Sequence, residues 1–132
     1  MIQLDCWLPE KEMFGVFSVD SILFDKGALC AVVSNEVFQF TIRFASGVKA
    51  YAIKKAALCR HRFDDLQDTY KILMRNNTFF KLQGDPIFAG LKGEKDTHFV
   101  IASPNYMVDI LADQNPAVEL DMAPGRRPGG GL

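Results

Sequence analysis

Between residues 14 and 58, four short apolar segments are cut from one another by compact turn signals, and this rhythm constrains the fold more than any other feature of the chain. Asp25-Lys26-Gly27, Ser34-Asn35 and Ala45-Ser46-Gly47 recur about ten residues apart, as hairpin turns do in an antiparallel meander. Residues 37–44 show the pattern best. Phe38, Phe40, Ile42 and Phe44 alternate with Gln39, Thr41 and Arg43, the period-two signature of a strand with one buried face. Residues 48–53 follow the Ser46-Gly47 turn and are expected to pair antiparallel with that strand. Residues 14–24 and 28–33 supply the other two strands.

The period then changes. Leu66, Tyr70 and Leu73 recur at helical spacing, which predicts a helix over residues 64–75. Asp64, Asp65 and Asp68 in its first turns and Arg75 in its last complement the helix dipole. Residues 78–82, 97–102 and 117–122 read as further strands, with one helical turn near residues 87–91. Ser103-Pro104 has the order of an N-cap and a first-turn proline, and Tyr106, Met107, Ile110 and Leu111 then make one apolar face. A second helix ending near Ala112 is expected there. The sum is a single α+β domain over residues 1–122. It is a mostly antiparallel, twisted sheet of about five to six strands, with two helices packed on one face. Residues 123–132, rich in Pro and Gly, are expected to form a flexible tail.

A chain of 132 residues suffices for one domain with a real core. An apolar content of 48%, with eleven Phe, excludes disorder for its body. A net charge of -1 argues against nucleic-acid binding, which calls for a clustered basic excess. No apolar run is long enough to span a bilayer, and the first residues lack a basic start and an apolar stretch. Three separated cysteines, Cys6, Cys30 and Cys59, make no disulfide framework and point to reduced thiols in a cytoplasm.

Candidate chemistry is sparse. Cys59 in Cys59-Arg60-His61-Arg62 is the one thiol with electropositive neighbours, but no oriented base or oxyanion site accompanies it. His61 reads as an exposed loop residue and His98 as a structural one at a strand start, since one histidine does not make a metal site. Asp64, Asp65 and Asp68 are explained by capping and dipole compensation. Gly90-Leu91-Lys92-Gly93 lacks the residues of a phosphate loop. Lys54-Lys55 and Arg60-His61-Arg62 read as a solvated basic stretch, and Asp85 and Asp96 as loop residues. Trp7, the only Trp, reads as a core residue covering a sheet end, with an interface anchor as the other reading. No cofactor and no metal are implied.

Four segments carry a resemblance. They are Phe44-x-x-Gly47-Val48-x-Ala50-Tyr51, Phe80-Lys81, Thr97-His98-Phe99-Val100-Ile101 and Val108-Asp109-Ile110-Leu111. Over roughly residues 44–122 the order resembles small bacterial proteins similar to the immunity-protein set of polymorphic toxin systems. The resemblance implies a non-enzymatic protein that binds another protein, a toxin among the candidates. On this reading an exposed sheet face or edge makes the contact, with Arg43, Lys49 and Tyr51 as interface residues, and a homodimer through the same surface is equally physical. A different reading is a small-molecule-binding protein or small enzyme with a pocket between sheet and helix, where Cys59, His61, Asp96 and His98 would converge. A structural homo-oligomer subunit is the third.

Overall fold

A computed structural model describes residues 2–123. It contains nine strands and one α-helix, and all strand pairs are antiparallel. In chain order the strands are β1 (Gln3–Cys6), β2 (Ser18–Asp25), β3 (Ala28–Ser34), β4 (Phe38–Phe44), β5 (Val48–Lys55), β6 (Phe79–Gln83), β7 (Thr97–Ala102), β8 (Tyr106–Ala112) and β9 (Ala117–Met122). The helix α1 (Asp68–Asn76) lies between β5 and β6. One sheet has the order β1-β6-β7-β8-β5 and the other β2-β3-β4-β9.

The two sheets pack face to face. Leu29, Val33, Phe40, Ile42 and Phe44 of the four-stranded sheet meet Phe79, Phe99, Ile101, Val108 and Ile110 of the five-stranded one in a single buried cluster. Phe44 meets Phe99 edge to face with centroids 5.3 Å apart, and Phe17 bridges Phe40 and Phe79 at 5.4 and 5.6 Å. Trp7, half-buried, sets its ring edge-on to Phe79 and Phe99 at one end of this core. A third layer covers the far face of the five-stranded sheet. There Leu4, Phe80, Leu82, Val100 and Met107 are buried beneath Phe63, Tyr70, Leu73 and Met74, so α1 and the loop before it act as a lid.

The expected meander is found only in part. Lys26 and Gly27, with φ of 48° and 83°, form the tight turn that joins β2 to β3. The Asn35 side-chain carbonyl accepts from the amides of Val37 and Phe38 (2.9 and 2.8 Å) to shape the next turn. The pairing then breaks: β5 joins β8, not β4. Gly47 is a corner where the chain changes sheets. Its φ is 79°, and a Cβ there would run into the Asp113 carboxylate. Residues 45–47 thus read as a hairpin signal because turn chemistry is local, whereas the choice of partner strand is made by the core.

The second helix is also corrected. Residues 106–112 are strand β8, the central element between β7 and β5. Val108, Ile110 and Ala112 face the other sheet, while Met107, Asp109 and Leu111 lie on the side of the third layer. A strand buried on both faces is apolar nearly throughout, and over seven residues that pattern also satisfies helical spacing. Ser103 and Asn105 consequently build a hairpin turn. The Ser103 hydroxyl donates to the Tyr106 carbonyl (2.7 Å) and accepts from the Tyr106 amide (2.9 Å). Asn105 bridges to the opposite sheet: its carbonyl accepts from Val19 N (3.0 Å) and its amide donates to Val19 O (2.8 Å). The helix itself begins at Asp68, since residues 64 and 65 lie in turns. β1 lay outside the expected strands, and the strand count rises from five or six to nine. The expected tail lies outside the described residues from position 124 onward; Ala123 is buried, with its amide on the Val37 carbonyl at 2.9 Å.

Candidate functional site

Beneath the third layer the five-stranded sheet carries two ionisable residues among apolar ones. His98 on β7 and Asp109 on β8 are 3% and 2% exposed. His98 Nε2 lies 2.6 Å from Asp109 Oδ1. From the loop ahead of α1, Arg62 reaches down with both guanidinium arms. Nη1 donates to Asp109 Oδ2 and Nη2 to Asp109 Oδ1, each at 2.7 Å. Nη2 also donates to Asp85 Oδ2 at 2.9 Å. Such a two-armed, charge-assisted contact is the geometry guanidinium suits best. Asp85 in turn accepts the Ile87 amide through Oδ1 (2.9 Å), capping the short turn Pro86–Phe88. The Arg62 guanidinium carbon also lies 4.7 Å from the centre of the Phe63 ring.

Burial pushes the Asp109 carboxyl up. The hydrogen bonds from His98 and Arg62, and the Arg62 charge, outweigh it and hold the group below the usual carboxylate range. Burial likewise opposes the charge on Arg62, and the hydrogen bonds and charges of Asp109 and Asp85 more than reverse that effect. The network ties three separate pieces together: the loop around Arg62, the turn after β6, and the centre of the sheet.

The residues expected to converge do so only singly. His98 enters this network. His61, one residue from Arg62, points outward, and its Nδ1 pairs with Asp64 at 2.8 Å on the surface. Cys59 packs at the margin of the third-layer cluster. Asp96 forms a separate pair. Its solvent-inaccessible carboxylate accepts the Gly93 amide at 2.6 Å and the Lys49 ammonium at 2.9–3.0 Å. The Gly93 amide first, then Lys49, hold that carboxyl low. Arg62, Asp85 and Asp109 were missed in the sequence as members of one site. The available signal was Asp109, a lone charge inside the apolar run Met107-Val108-Asp109-Ile110-Leu111, which demands a buried cation.

A second feature is a seam along one flank. β2 and β5 are edge strands of their respective sheets, and they lie side by side there. Phe24 stacks on Tyr51 with centroids 4.5 Å apart. A shallow cavity of about 260 Å³ runs between Ile22, Ile53 and Tyr106. By register, Ile22 and Phe24 on β2 and Tyr51 and Ile53 on β5 belong to the inward-facing set, because their cross-strand partners Ala31, Leu29, Ile110 and Val108 are fully buried. Asn105 bonded to Val19, and the Val48 amide bonded to the Gly27 carbonyl, tie the two sheets on this side, and β2 and β5 share no strand pairing between them. Tyr51 and Ile53 are therefore 42% and 41% exposed, and Phe24 is 40% exposed. Asp20 and Asp25 on β2 and Lys54 and Lys55 on β5 are exposed on the same two strands.

Of the three expected interface residues, Tyr51 lies on this seam. Arg43 lies on the outer face of the four-stranded sheet and pairs with Glu119 at 3.2 Å. Lys49 is engaged by Asp96. Among the described residues, no cluster of three or more metal-ligating side chains occurs, and no helix is long and apolar enough to cross a membrane. Comparison with protein-family models, with curated proteins and with solved structures finds no match to this chain.

Proposed function

We propose that this chain is a non-enzymatic protein-binding domain that docks its partner on the seam between β2 and β5. One observation carries the reading: inward-register side chains, Phe24, Tyr51 and Ile53, stand open to solvent between two unpaired strand edges. An exposed apolar strip on strands that also carry charged residues has the composition of a protein interface, and edge strands offer free backbone groups for a partner strand to pair with. An immunity-type or accessory factor works in this way, by covering a target with a complementary surface and without chemistry of its own. A second copy of the chain on the same seam is a protein partner in the same sense.

The test uses Ile53→Glu and Phe24→Glu beside the wild-type chain. Each is immobilised and exposed to lysate of the source cell, and the free proteins are sized by light scattering. The expected result is a stoichiometric partner, or a dimer, with wild type that both variants lose while keeping the wild-type circular dichroism spectrum. A wild-type monomer that retains nothing, or a partner held equally by the variants, overturns the proposal.

A further inference from the structure

Along the seam, β2 and β5 run antiparallel and in step. The Val48 amide donates to the Gly27 carbonyl (3.1 Å), the Phe24 ring stacks on Tyr51, and Ile22 shares a cavity wall with Ile53. At the far end Asn105 accepts the Ala56 amide through its backbone (3.0 Å) and holds the Val19 backbone with its side chain. Each step back along β2 therefore matches a step forward along β5. Both ends of the seam are tied within one chain, yet residues 20–25 and 50–55 between the ties form no ladder with each other. Each strand thus keeps a stretch of unpaired edge, which sheets normally cover or blunt.

The register says what fits there. The same step sets Ile22 level with Ile53, Leu23 with Ala52, and Asp20 with Lys55. Asp20 is the extra residue of a bulge, and it lines one cavity with Tyr106, the cross-strand partner of Lys55. No like charges face each other within the two stretches: Lys54 lies level with Ser21, and Asp25 with Ala50. Lys26 and Lys49 fall at the tied end, where Lys49 is held by Asp96. A twofold axis along the seam carries β2 of a second copy to the edge of β5. That rotation keeps each residue at its own level, keeps the two strands antiparallel and keeps inward faces inward. The ladder that one chain leaves open then forms twice between two chains.

We infer that the occupant of the seam is a second copy of this chain, joined by antiparallel pairing of residues 20–25 on each β2 with residues 50–55 on the other copy's β5. The inference rests on the reading of the seam as a docking surface and supplies its partner. Ile22 and Phe24 of one copy cover Tyr51 and Ile53 of the other, and Asp20 meets Lys55 at two symmetric contacts. Opposite charges and apolar residues at shared levels give the two edges complementarity to each other, which is what an isologous interface requires.

The test is sedimentation equilibrium of the full chain and of two charge reversals at exposed positions, Asp20→Lys and Lys55→Asp, each checked by circular dichroism for the wild-type fold. Wild type should sediment at twice its 14.8 kDa mass. Each reversal alone sets like charges opposite one another at both contacts and should weaken the dimer roughly tenfold. An equimolar mixture of the two variants should regain the wild-type affinity, because each copy supplies the charge that the other lacks. A contact within one chain could not be rescued by mixing. Reversals that leave the dimer intact, or a mixture no tighter than either variant alone, overturn the inference. A wild-type monomer that still captures a lysate protein, lost with Ile53→Glu, overturns the second copy and leaves the docking surface standing. A wild-type monomer that captures nothing overturns both.

Discussion

Removing Arg62 should be among the most damaging single changes available in this chain. Arg62→Ala deletes three charge-assisted hydrogen bonds at 2.7–2.9 Å and strands two carboxylates, Asp109 and Asp85, whose side chains are 3% and 4% exposed. The Arg62 side chain is itself only 17% exposed, so little solvent screening applies. Breaking a buried pair from one side costs about 3–5 kcal/mol, because the partner is left charged in a poor solvent. With about 2.1 cal/mol/K of unfolding entropy per residue over 132 residues, that corresponds to a fall in Tm of roughly 11–18 °C. Urea unfolding followed by the fluorescence of Trp7, which rests on the core rings Phe79 and Phe99, measures it directly. Asp109→Asn should cost less, about 1–3 kcal/mol, since Arg62 keeps Asp85 and the amide still fills the site. The double variant Arg62→Ala/Asp109→Asn should be less damaged than the sum of the two. A loss below about 1 kcal/mol for Arg62→Ala, with additive behaviour in the cycle, would refute the view that this network holds the third layer down.

The same pair sets a pH signature. The Asp109 carboxyl lies below its ordinary value in the folded chain, so the folded state binds its proton less readily than the unfolded state does. Its stabilisation is complete above the unfolded value of about 3.9 and fades as pH falls through the lower folded value. Wild type should therefore lose stability faster than Asp109→Asn on acidification below about pH 4. Parallel stability curves in that window would contradict it.

Other substitutions probe the architecture. Gly47→Ala forces a side chain into left-handed backbone against Asp113 and should cost about 2 kcal/mol; Asp113→Ala in the same background should restore part of it, as read by thermal unfolding. Asn105→Ala removes both bonds to the Val19 backbone and should cost about 1–3 kcal/mol in urea unfolding, the penalty for leaving backbone groups unpaired. Ile53→Glu on the exposed seam should change stability by no more than about 0.5 kcal/mol, so that any loss of partner binding reports the surface itself.

The strands with one wet face were legible. β3 and β4 alternate because the outer face of their sheet meets water, and the turns between β2, β3 and β4 carry their own chemistry in Lys26-Gly27 and Asn35. Legibility failed where a third layer intervened. β8 is covered by one sheet on its inner face and by the α1 layer on its outer face, so it has no polar side to mark its period. The one charge it contains, Asp109, looks like the polar face of a helix when read along the chain. Its meaning lies in Arg62, forty-seven residues away and camouflaged beside Arg60 and His61.

That camouflage follows from how a lid must be attached. Arg60, His61 and Arg62 are consecutive, yet only Arg62 turns inward, because the turn geometry over residues 59–66 aims one side chain in that run at the sheet. A lid made only of Phe63, Tyr70, Leu73 and Met74 could slide over an apolar face, since such contacts are non-directional. A guanidinium bonded through both arms to Asp109 cannot slide without stranding a charge. We read the network as the device that fixes the lid's register, and the buried histidine as bound into the sheet by the same carboxylate. The test lies in replacing Arg62 and Asp109 together by Met and Leu, with Asp85→Asn in the same chain so that no buried carboxylate is left without its cation. If register is what the ions supply, the variant should keep its stability within about 1–2 kcal/mol while hydrogen exchange across α1 accelerates. Unchanged protection of α1 would leave the ions with no role in positioning and would assign the lid to apolar packing alone.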